Sequence, residues 1–204
     1  MAFALPTSTE MRKQLPKKSI YAKFELKPSQ RESFDADISR IDIVAIVSSV
    51  TVPALSEGKD VKEFYILTVQ LKRKEYDIQN ISLLAKLIPQ RMVLALQFEE
   101  QTQFAIYYTK LIASSWQPSE EARLPLSGLN LDSVWENIVT HIGQIKISEG
   151  NTLAEQIKVE EMRTKVKAQI ASLTQRLNKE KQFNRQMEIN AEIKLLRKQL
   201  INLM

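Results

Sequence analysis

Residue types that build many active sites are scarce in this sequence. Its 204 residues include no cysteine, one histidine and four glycines. Without cysteine the chain has neither a disulfide framework nor a thiolate metal site, which is what we expect of a protein in the reducing cytoplasm. The four glycines, at positions 58, 128, 143 and 150, are isolated from one another. Because a Walker or Rossmann phosphate loop needs clustered glycines, both of those nucleotide-binding classes are excluded.

The single imidazole limits the other catalytic classes. A zinc site needs several imidazole or thiolate ligands, and a Ser-His-Asp or Cys-His site needs a nucleophile beside its base. His141 stands beside Ile142 in a predicted helix, and no serine motif accompanies it. We therefore expect His141 to be structural or exposed, and we predict no catalytic residue and no cofactor from these motifs.

Long apolar runs are also missing. No segment approaches the roughly 18 apolar residues of a membrane span, and the apolar start of the chain is too short for a signal peptide. We expect a soluble, cytoplasmic protein with no membrane partner. With 44% hydrophobic residues, the chain is long enough for one body with its own core, residues 1–150, and one appendage, residues 151–204.

The appendage is free of proline from Thr152 onward and reads as helix. Apolar residues recur there in steps of three and four, the spacing of a coiled-coil seam. The first seam comprises Val159, Met162, Val166, Ile170, Leu173 and Leu177, and the second comprises Ile189, Ile193, Leu196, Leu200 and Leu203. The joint to the body is predicted at Ser148 to Asn151.

The two seams do not share a register. Twelve residues separate Leu177 from Ile189, and the stretch between them is polar apart from Phe183. A continuous helix would need a stutter at this point, whereas an αα-hairpin would let the two seams bury each other. The sequence leaves both arrangements open and favours the hairpin slightly, with Asn178 as its turn-prone residue.

Positive charge is concentrated on the same appendage. Residues 152–204 contain 11 Lys or Arg and 6 Glu, so they carry a net charge of +5, while residues 1–151 contain 18 of each sign. The basic residues off the seams are Lys165, Lys167, Arg176, Lys179, Lys181, Arg185, Arg197 and Lys198. They predict a basic surface for an acidic partner or for DNA phosphates, or else an ordinary solvated helix face. Because only Phe183 interleaves with them, base stacking is not expected.

The body reads as an α+β domain with a mixed sheet of four or five strands. Strands are predicted from Ile38, from Phe64 to Lys72, and as a hairpin of Met92 to Phe98 with Phe104 to Tyr108. Helices are predicted over Ile78 to Ile88, from Leu131 to Ile142, and from Pro28, where Ser29 and Glu32 have capping-box spacing. The segment from Thr7 to Leu26 also has helical character, with Pro16 breaking it and Ser19 opening a second short turn.

One charge pattern suggests a nuclease. Asp42 on one strand and Gln70-Leu71-Lys72 at the end of the next echo the Asp and Glu-x-Lys arrangement of restriction-type nucleases, in which two carboxylates hold Mg²⁺. Gln70 stands where a carboxylate is needed, which weakens the pattern. The alternative is that Asp42 and Lys72 are ordinary strand-end charges, and Mg²⁺ is expected only if the nuclease interpretation holds.

The chain resembles a bacterial family known as domain-of-unknown-function family 4391. The segments that carry the resemblance are Leu5 to Glu10, Val69 to Lys72 with Ile88-Pro89, Trp116 with Gly128 to Leu131, and Lys179 to Arg185 with Glu188 to Ile193. The resemblance implies an accessory protein encoded beside DNA methyltransferases and helicases in restriction or anti-phage defence clusters, with no established activity.

The arm segment suggests where a partner binds. A merely solvated helix needs charge but not Phe183, Asn184, Arg185 and Asn190, so we interpret this segment as a hairpin tip or a docking surface. Capping of the bend by Asn184 and Asn190 is the alternative. The arm predicts a non-enzymatic interaction protein, and the resemblance implies that it belongs to a DNA restriction-modification or anti-phage defence complex. A degenerate Mg²⁺-dependent nuclease and a DNA-binding accessory without sequence specificity are the alternatives.

Overall fold

The computed structural model describes residues 2–147 and 152–202, and the chain divides into two compact units. The first comprises Met1–Ile145 and the second Lys146–Met204. We call the first unit the body and the second the arm. The predicted joint, Ser148 to Asn151, and the last predicted seam residue, Leu203, lie outside the described residues.

One mixed sheet organises the body. Its strands are β1 (Glu10–Gln14), β2 (Ile38–Ser48), β3 (Glu63–Leu71), β4 (Arg91–Phe98), β5 (Gln101–Tyr107), β6 (Leu111–Ala113) and β7 (Gln117–Pro118). Strands β1 to β6 lie side by side in chain order, and β7 pairs with β5. All pairs are antiparallel except β3 and β4, which are parallel. The prediction of four or five strands was too low, because it missed β1 and the short strands β6 and β7.

Six α-helices accompany the sheet in the described part of the chain. The body contains α1 (Lys17–Lys23), α2 (Pro28–Asp37), α3 (Ile78–Leu84) and α4 (Leu131–Gly143), and the arm contains α5 (Leu153–Lys179) and α6 (Phe183–Asn202). The helix α3 is the crossover that makes the parallel pairing of β3 and β4 possible. The predicted α+β architecture is confirmed.

The two faces of the sheet are covered by different helices. On one face, Ile41, Val69 and Leu94 form a core with Phe34 of α2 and Ile81 of α3, and each of these side chains is at most 1% exposed. We call this the α2/α3 face. On the opposite face, which we call the α4 face, Trp135 packs against Phe64 with ring centroids 5.5 Å apart.

The N-terminal region differs from its prediction in two places. Residues Glu10–Gln14 form β1 rather than a helix, because their backbone pairs with β2, with Gln14 opposite Asp42. A tertiary contact has overridden a weak local pattern. The helix α2 begins at Pro28 as predicted, but its cap is Lys27, whose N–H donates to Gln30 Oε1 at 2.9 Å, and not Ser29.

A fully buried carboxylate ties α2 to the start of α3. Asp37 is 0% exposed and accepts hydrogen bonds from Arg73 Nε (2.6 Å), Asn80 Nδ2 (2.7 Å) and the Asp77 N–H (2.8 Å). Burial alone would raise the pKa of Asp37, but these donors outweigh it and hold the pKa below its ordinary value. Asp37 is thus a satisfied structural charge at the α2–β2 junction.

A second carboxylate holds the loop before β3. Asp132, in the first turn of α4, accepts the backbone N–H groups of Lys59 (2.6 Å), Asp60 (3.1 Å) and Val61 (2.7 Å). Burial would raise the pKa of Asp132, yet these three donors lower it. The contact fixes this loop against the helix that covers the α4 face.

The arm is a helical hairpin. Leu173 of α5 packs against Ile189 and Ile193 of α6, and Ile170, Leu177 and Leu196 surround this cluster. Two helices therefore replace the continuous helix that the sequence also allowed. Met162 departs from the predicted seam, since it is 54% exposed. The finer prediction of a coiled coil stays a prediction.

Candidate functional site

The basic residues predicted for the arm share one property, which is exposure to solvent. Lys165, Lys167, Arg176, Lys179, Lys181, Arg185, Arg197 and Lys198 are all exposed. Within residues 152–202 none of these eight forms an ion pair. Their charge is consequently available to an acidic surface, and on the hairpin they are distributed over both helices and the link between them.

Glu180 shapes the bend between the two helices. Its carboxylate Oε1 accepts the N–H groups of Lys181 (2.9 Å) and Gln182 (3.0 Å), while Gln186 Nε2 donates to its carbonyl oxygen (2.7 Å). The pKa of Glu180 is lowered, chiefly by the hydrogen bond from the Gln182 N–H. The Lys181 N–H and the nearby Arg185 and Arg176 lower it further, although desolvation opposes them. The turn therefore comes after Asn178, which remains inside α5.

Asn184 and Asn190 do not cap this bend. Asn184 and Asn190 are exposed on α6, and neither side chain has a hydrogen bond among the described residues. The interpretation of these residues as intramolecular caps was wrong, because Glu180 and Gln186 provide those contacts instead. Both amides are left to face solvent or a partner.

The helix α6 carries a second apolar row outside the hairpin contact. Phe183, Met187 and Leu195 are 71%, 57% and 69% exposed, and with Ala191 they follow one another in steps of four. At about 100° per residue, this row is centred on the side of α6 opposite Ile189, which packs against α5. Large apolar side chains exposed in a row are typical of interaction surfaces. Of this row, only Phe183 was predicted from the sequence.

The residues of the nuclease pattern are only partly brought together. Asp42 lies opposite Thr68, and Gln70 lies opposite Arg40, on neighbouring strands. The carboxylate of Asp42 is bound by Arg40 through Nε (2.7 Å) and Nη2 (2.9 Å). This pair also raises the pKa of Arg40 above its ordinary value, chiefly through the hydrogen bond.

Lys72 lies apart from Asp42. It follows the end of β3 and donates its N–H to the Asp37 carbonyl oxygen at 2.8 Å. Burial would raise the pKa of Asp35, but hydrogen bonds from Lys17 and Tyr21, with Lys72 nearby, hold that pKa below its ordinary value. Asp35 belongs to α2, on the other face of the sheet. Among the described residues there is no group of three or more His, Asp or Glu side chains arranged to hold a metal ion.

Asp42 and Gln70 belong to a larger polar patch that the sequence did not reveal. On the α4 face, polar side chains lie next to one another on four strands. We define the polar patch as Arg12, Gln14, Arg40, Asp42, Thr68, Gln70 and Gln97. Alternation along each strand could have shown which residues share a face, but their alignment depends on strand register, which is not local information.

Two further sequence expectations concern single features. His141 is exposed near the end of α4, which is one of the two placements that the sequence allowed. In the described ranges, 2–147 and 152–202, no helix has both the length and the apolar character to cross a membrane.

Comparison with known families identifies the chain. Neither the search of curated proteins nor the search of solved structures finds a match. A family model does match, over residues 3–200, and it is described as Domain of unknown function (DUF4391). The match spans both the body and the arm, so the resemblance drawn from the sequence is confirmed: the chain belongs to the DUF4391 family.

Proposed function

We propose that this protein is a non-enzymatic interaction protein, which assembles with a partner protein or with a second copy of itself through its helical arm. The observation that carries the proposal is the apolar row of Phe183, Met187, Ala191 and Leu195 on α6. It lies away from the hairpin contact, so it does not serve the internal stability of the arm.

Burial of such a row would supply free energy for association. Each large apolar side chain contributes about 1.5–3 kcal/mol when it moves from full exposure to full burial. Hairpin packing already employs the opposite side of α6, where Ile189 and Ile193 are 9% and 6% exposed. A helix that presents apolar residues on two opposite sides is suited to bridge its own hairpin and another protein.

The exposed cations supply selectivity. Arg185, Arg197 and Lys198 lie on the same helix as the apolar row and have no ion pair in the described arm. Complementary charge accelerates association and discriminates between partners more than it adds affinity. The favoured partner therefore combines apolar residues with acidic ones.

The setting that we propose is a DNA restriction-modification or anti-phage defence complex in the cytoplasm, with a helicase or DNA methyltransferase as the partner. This setting rests on what the family resemblance implies and on the net charge of +5 over residues 152–204. The same charge supports a second candidate, direct contact between the arm and the phosphates of DNA.

The nuclease alternative receives less support. A divalent metal at Asp42 would have to displace the Arg40 guanidinium, and Gln70 offers a neutral amide where a carboxylate is needed. Should the protein nevertheless be a nuclease, it would cleave plasmid DNA with Mg²⁺ and Asp42→Ala would abolish the cleavage.

A pair of matched variants tests the arm. We expect Leu195→Asp to lose the partner that co-purifies with the tagged full-length protein from its native host, or to dissociate a self-assembled dimer. The control is Gln175→Asp, which places the same charge on the exposed outer side of α5 and should retain the partner. Equal recovery with both variants, or no effect of deleting residues 152–204, would contradict the proposal.

A further inference from the structure

The α4 face changes from apolar to polar at the same level on neighbouring strands. Along β3, Phe64 and Ile66 are 0% exposed and are followed on the same face by Thr68 and Gln70. Along β4, Val93 and Ala95 are likewise buried and are followed by Gln97. Strand register aligns these changes: Gln70 lies beside Gln97 on one side and Arg40 on the other, and Asp42 lies between Thr68 and Gln14.

The polar patch is open because its covering elements pack elsewhere on the face. Trp135 of α4 lies on Phe64, at the apolar end, and Phe3 of the N-terminal segment lies edge-on to Phe104 with centroids 5.2 Å apart. Two cavities of about 400 and 490 Å³ open over the polar end and share Thr68 in their walls. The second of them extends the patch to Arg123.

The position of the patch is one where ligands bind in other sheets. Strands β3 and β4 are parallel, and Gln70 and Gln97 stand near their carboxyl ends. In open α/β sheets, ligands bind in the crevice outside the carboxyl ends of the strands. Here that crevice is lined by arginine, glutamine and threonine side chains, which are donors suited to phosphate oxygens, and also by the carboxylates of Asp42 and Glu120.

Arg40 is held in a fixed orientation in the patch by Asp42, whose carboxylate also compensates its charge. It binds Asp42 through Nε and Nη2, and this leaves its Nη1 group outside the pair. The pair orients the guanidinium over the sheet, where a metal-dependent enzyme would hold a cation. Arg12 lines one cavity and Arg123 lines the other, and both are exposed.

We infer that the polar patch, together with Arg123, binds the phosphodiester backbone of a nucleic acid strand without a divalent metal. The patch spans three strand spacings from β1 to β4, or roughly 14 Å at about 4.8 Å for each spacing. The patch is therefore longer than a single phosphate group and is long enough to contact successive phosphates of one strand. The site is in the body and is independent of the proposed role of the arm.

The test measures the binding of a fluorescein-labelled 20-nucleotide single-stranded DNA to the full-length protein, by fluorescence anisotropy in EDTA. We expect binding that weakens with salt. Because two charge-assisted contacts are removed, Arg12→Gln with Arg123→Gln should weaken binding roughly 5- to 30-fold and flatten the salt dependence. Asp42→Asn should tighten binding, since it frees the Arg40 guanidinium.

The matched control removes the same amount of charge from elsewhere on the body. Lys13 neighbours Arg12 on β1 but lies opposite Ile43, on the α2/α3 face, and Lys18 is exposed on α1. Lys13→Gln with Lys18→Gln should bind DNA within about twofold of the unmodified protein, as expected of charges outside the contact. If the double arginine variant loses its fold by circular dichroism, Arg12→Gln alone provides the comparison.

Three outcomes would overturn the inference. The first is no DNA binding in EDTA at low salt, and the second is an equal loss in the arginine and lysine pairs. The third is complete displacement of the oligonucleotide by millimolar inorganic phosphate at matched ionic strength, which would identify a site for a single anion. A loss only in Lys179→Gln with Lys181→Gln would equally reject the patch and assign the contact to the arm.

Discussion

The body and the arm achieve stability in different ways. In the body, buried apolar side chains line both faces of the sheet, and the buried carboxylate of Asp37 is bound by three donors. In the arm, one small cluster around Leu173 and Ile193 holds two helices together, and most other side chains are exposed. The body therefore has the character of a rigid scaffold. The arm has a small core and a large exposed surface that a partner could cover.

The difference also separates the two proposed sites. The polar patch is built on paired strands, so the spacing of its donors is fixed before any ligand arrives. The apolar row on α6 stands on a marginal helical pair, whose packing a partner can reinforce. Binding to a form that is already folded stabilises that form by mass action, so a partner of the arm would raise the stability of the arm selectively.

The largest effect should come from the buried carboxylate of the body. We expect Asp37→Ala to lower the free energy of unfolding of the body by about 3–5 kcal/mol, because Asn80 and the Asp77 N–H would lose their buried acceptor. Urea denaturation followed by tryptophan fluorescence measures this, since Trp116 and Trp135 both belong to the body.

The dependence of unfolding on acidic pH provides a second test of Asp37. The control variant is Glu32→Gln, on the exposed side of α2. The pKa of Asp37 is lower in the folded than in the unfolded protein, so its contribution is complete at neutral pH and is lost as the pH falls below about 4. Asp37→Asn should remove that part of the acid dependence. An unchanged acid profile in Asp37→Asn would show that the carboxylate does not stabilise the fold.

The next largest effect should be confined to the arm. Ile193 is 6% exposed in the hairpin cluster, so Ile193→Ala should destabilise the arm by about 2–4 kcal/mol and lower the helical circular dichroism at 222 nm. The tryptophan fluorescence transition of the body should stay in place. Leu195→Ala is the control, because Leu195 is 69% exposed two positions away on α6. Joint movement of both signals would mean that body and arm unfold as one unit.

The sequence predicted the elements whose patterns are local. The apolar runs of β2, β3 and β4 and the three-and-four spacing of α4 each require a buried face, so their positions follow from periodicity. Strand β1 could not be found in this way, because Glu10–Gln14 is polar and only pairing with β2 makes it a strand.

The candidate sites show the same limit. The basic residues of the arm lie off the apolar seams in the sequence, which predicts that they are exposed, and they are exposed in the structure. The contact between Arg40 and Asp42 was missed, although residues two apart on a strand share a face. Gln97 and Arg123 join Asp42 only through strand pairing and loop packing, which no short sequence pattern encodes. The position of Lys72 beside Asp35, away from Asp42, depends on the loop after β3 and could not be predicted either.

The smallest effect concerns the start of the arm, where the local rules are strongest. Thr152 caps α5: its Oγ1 accepts the Glu155 N–H at 3.3 Å, and Glu155 Oε2 accepts the Thr152 N–H at 2.8 Å. Thr152→Ala should therefore cost the arm about 1 kcal/mol of stability. Thr164 lies inside the same helix, where its hydroxyl donates to the Glu160 carbonyl oxygen, so Thr164→Ala should be neutral or slightly stabilising because alanine has the higher helix propensity. Thermal melts at 222 nm with opposite signs for these two threonines would show that local helix energetics govern the arm; losses of equal size would indicate contacts beyond the helix itself.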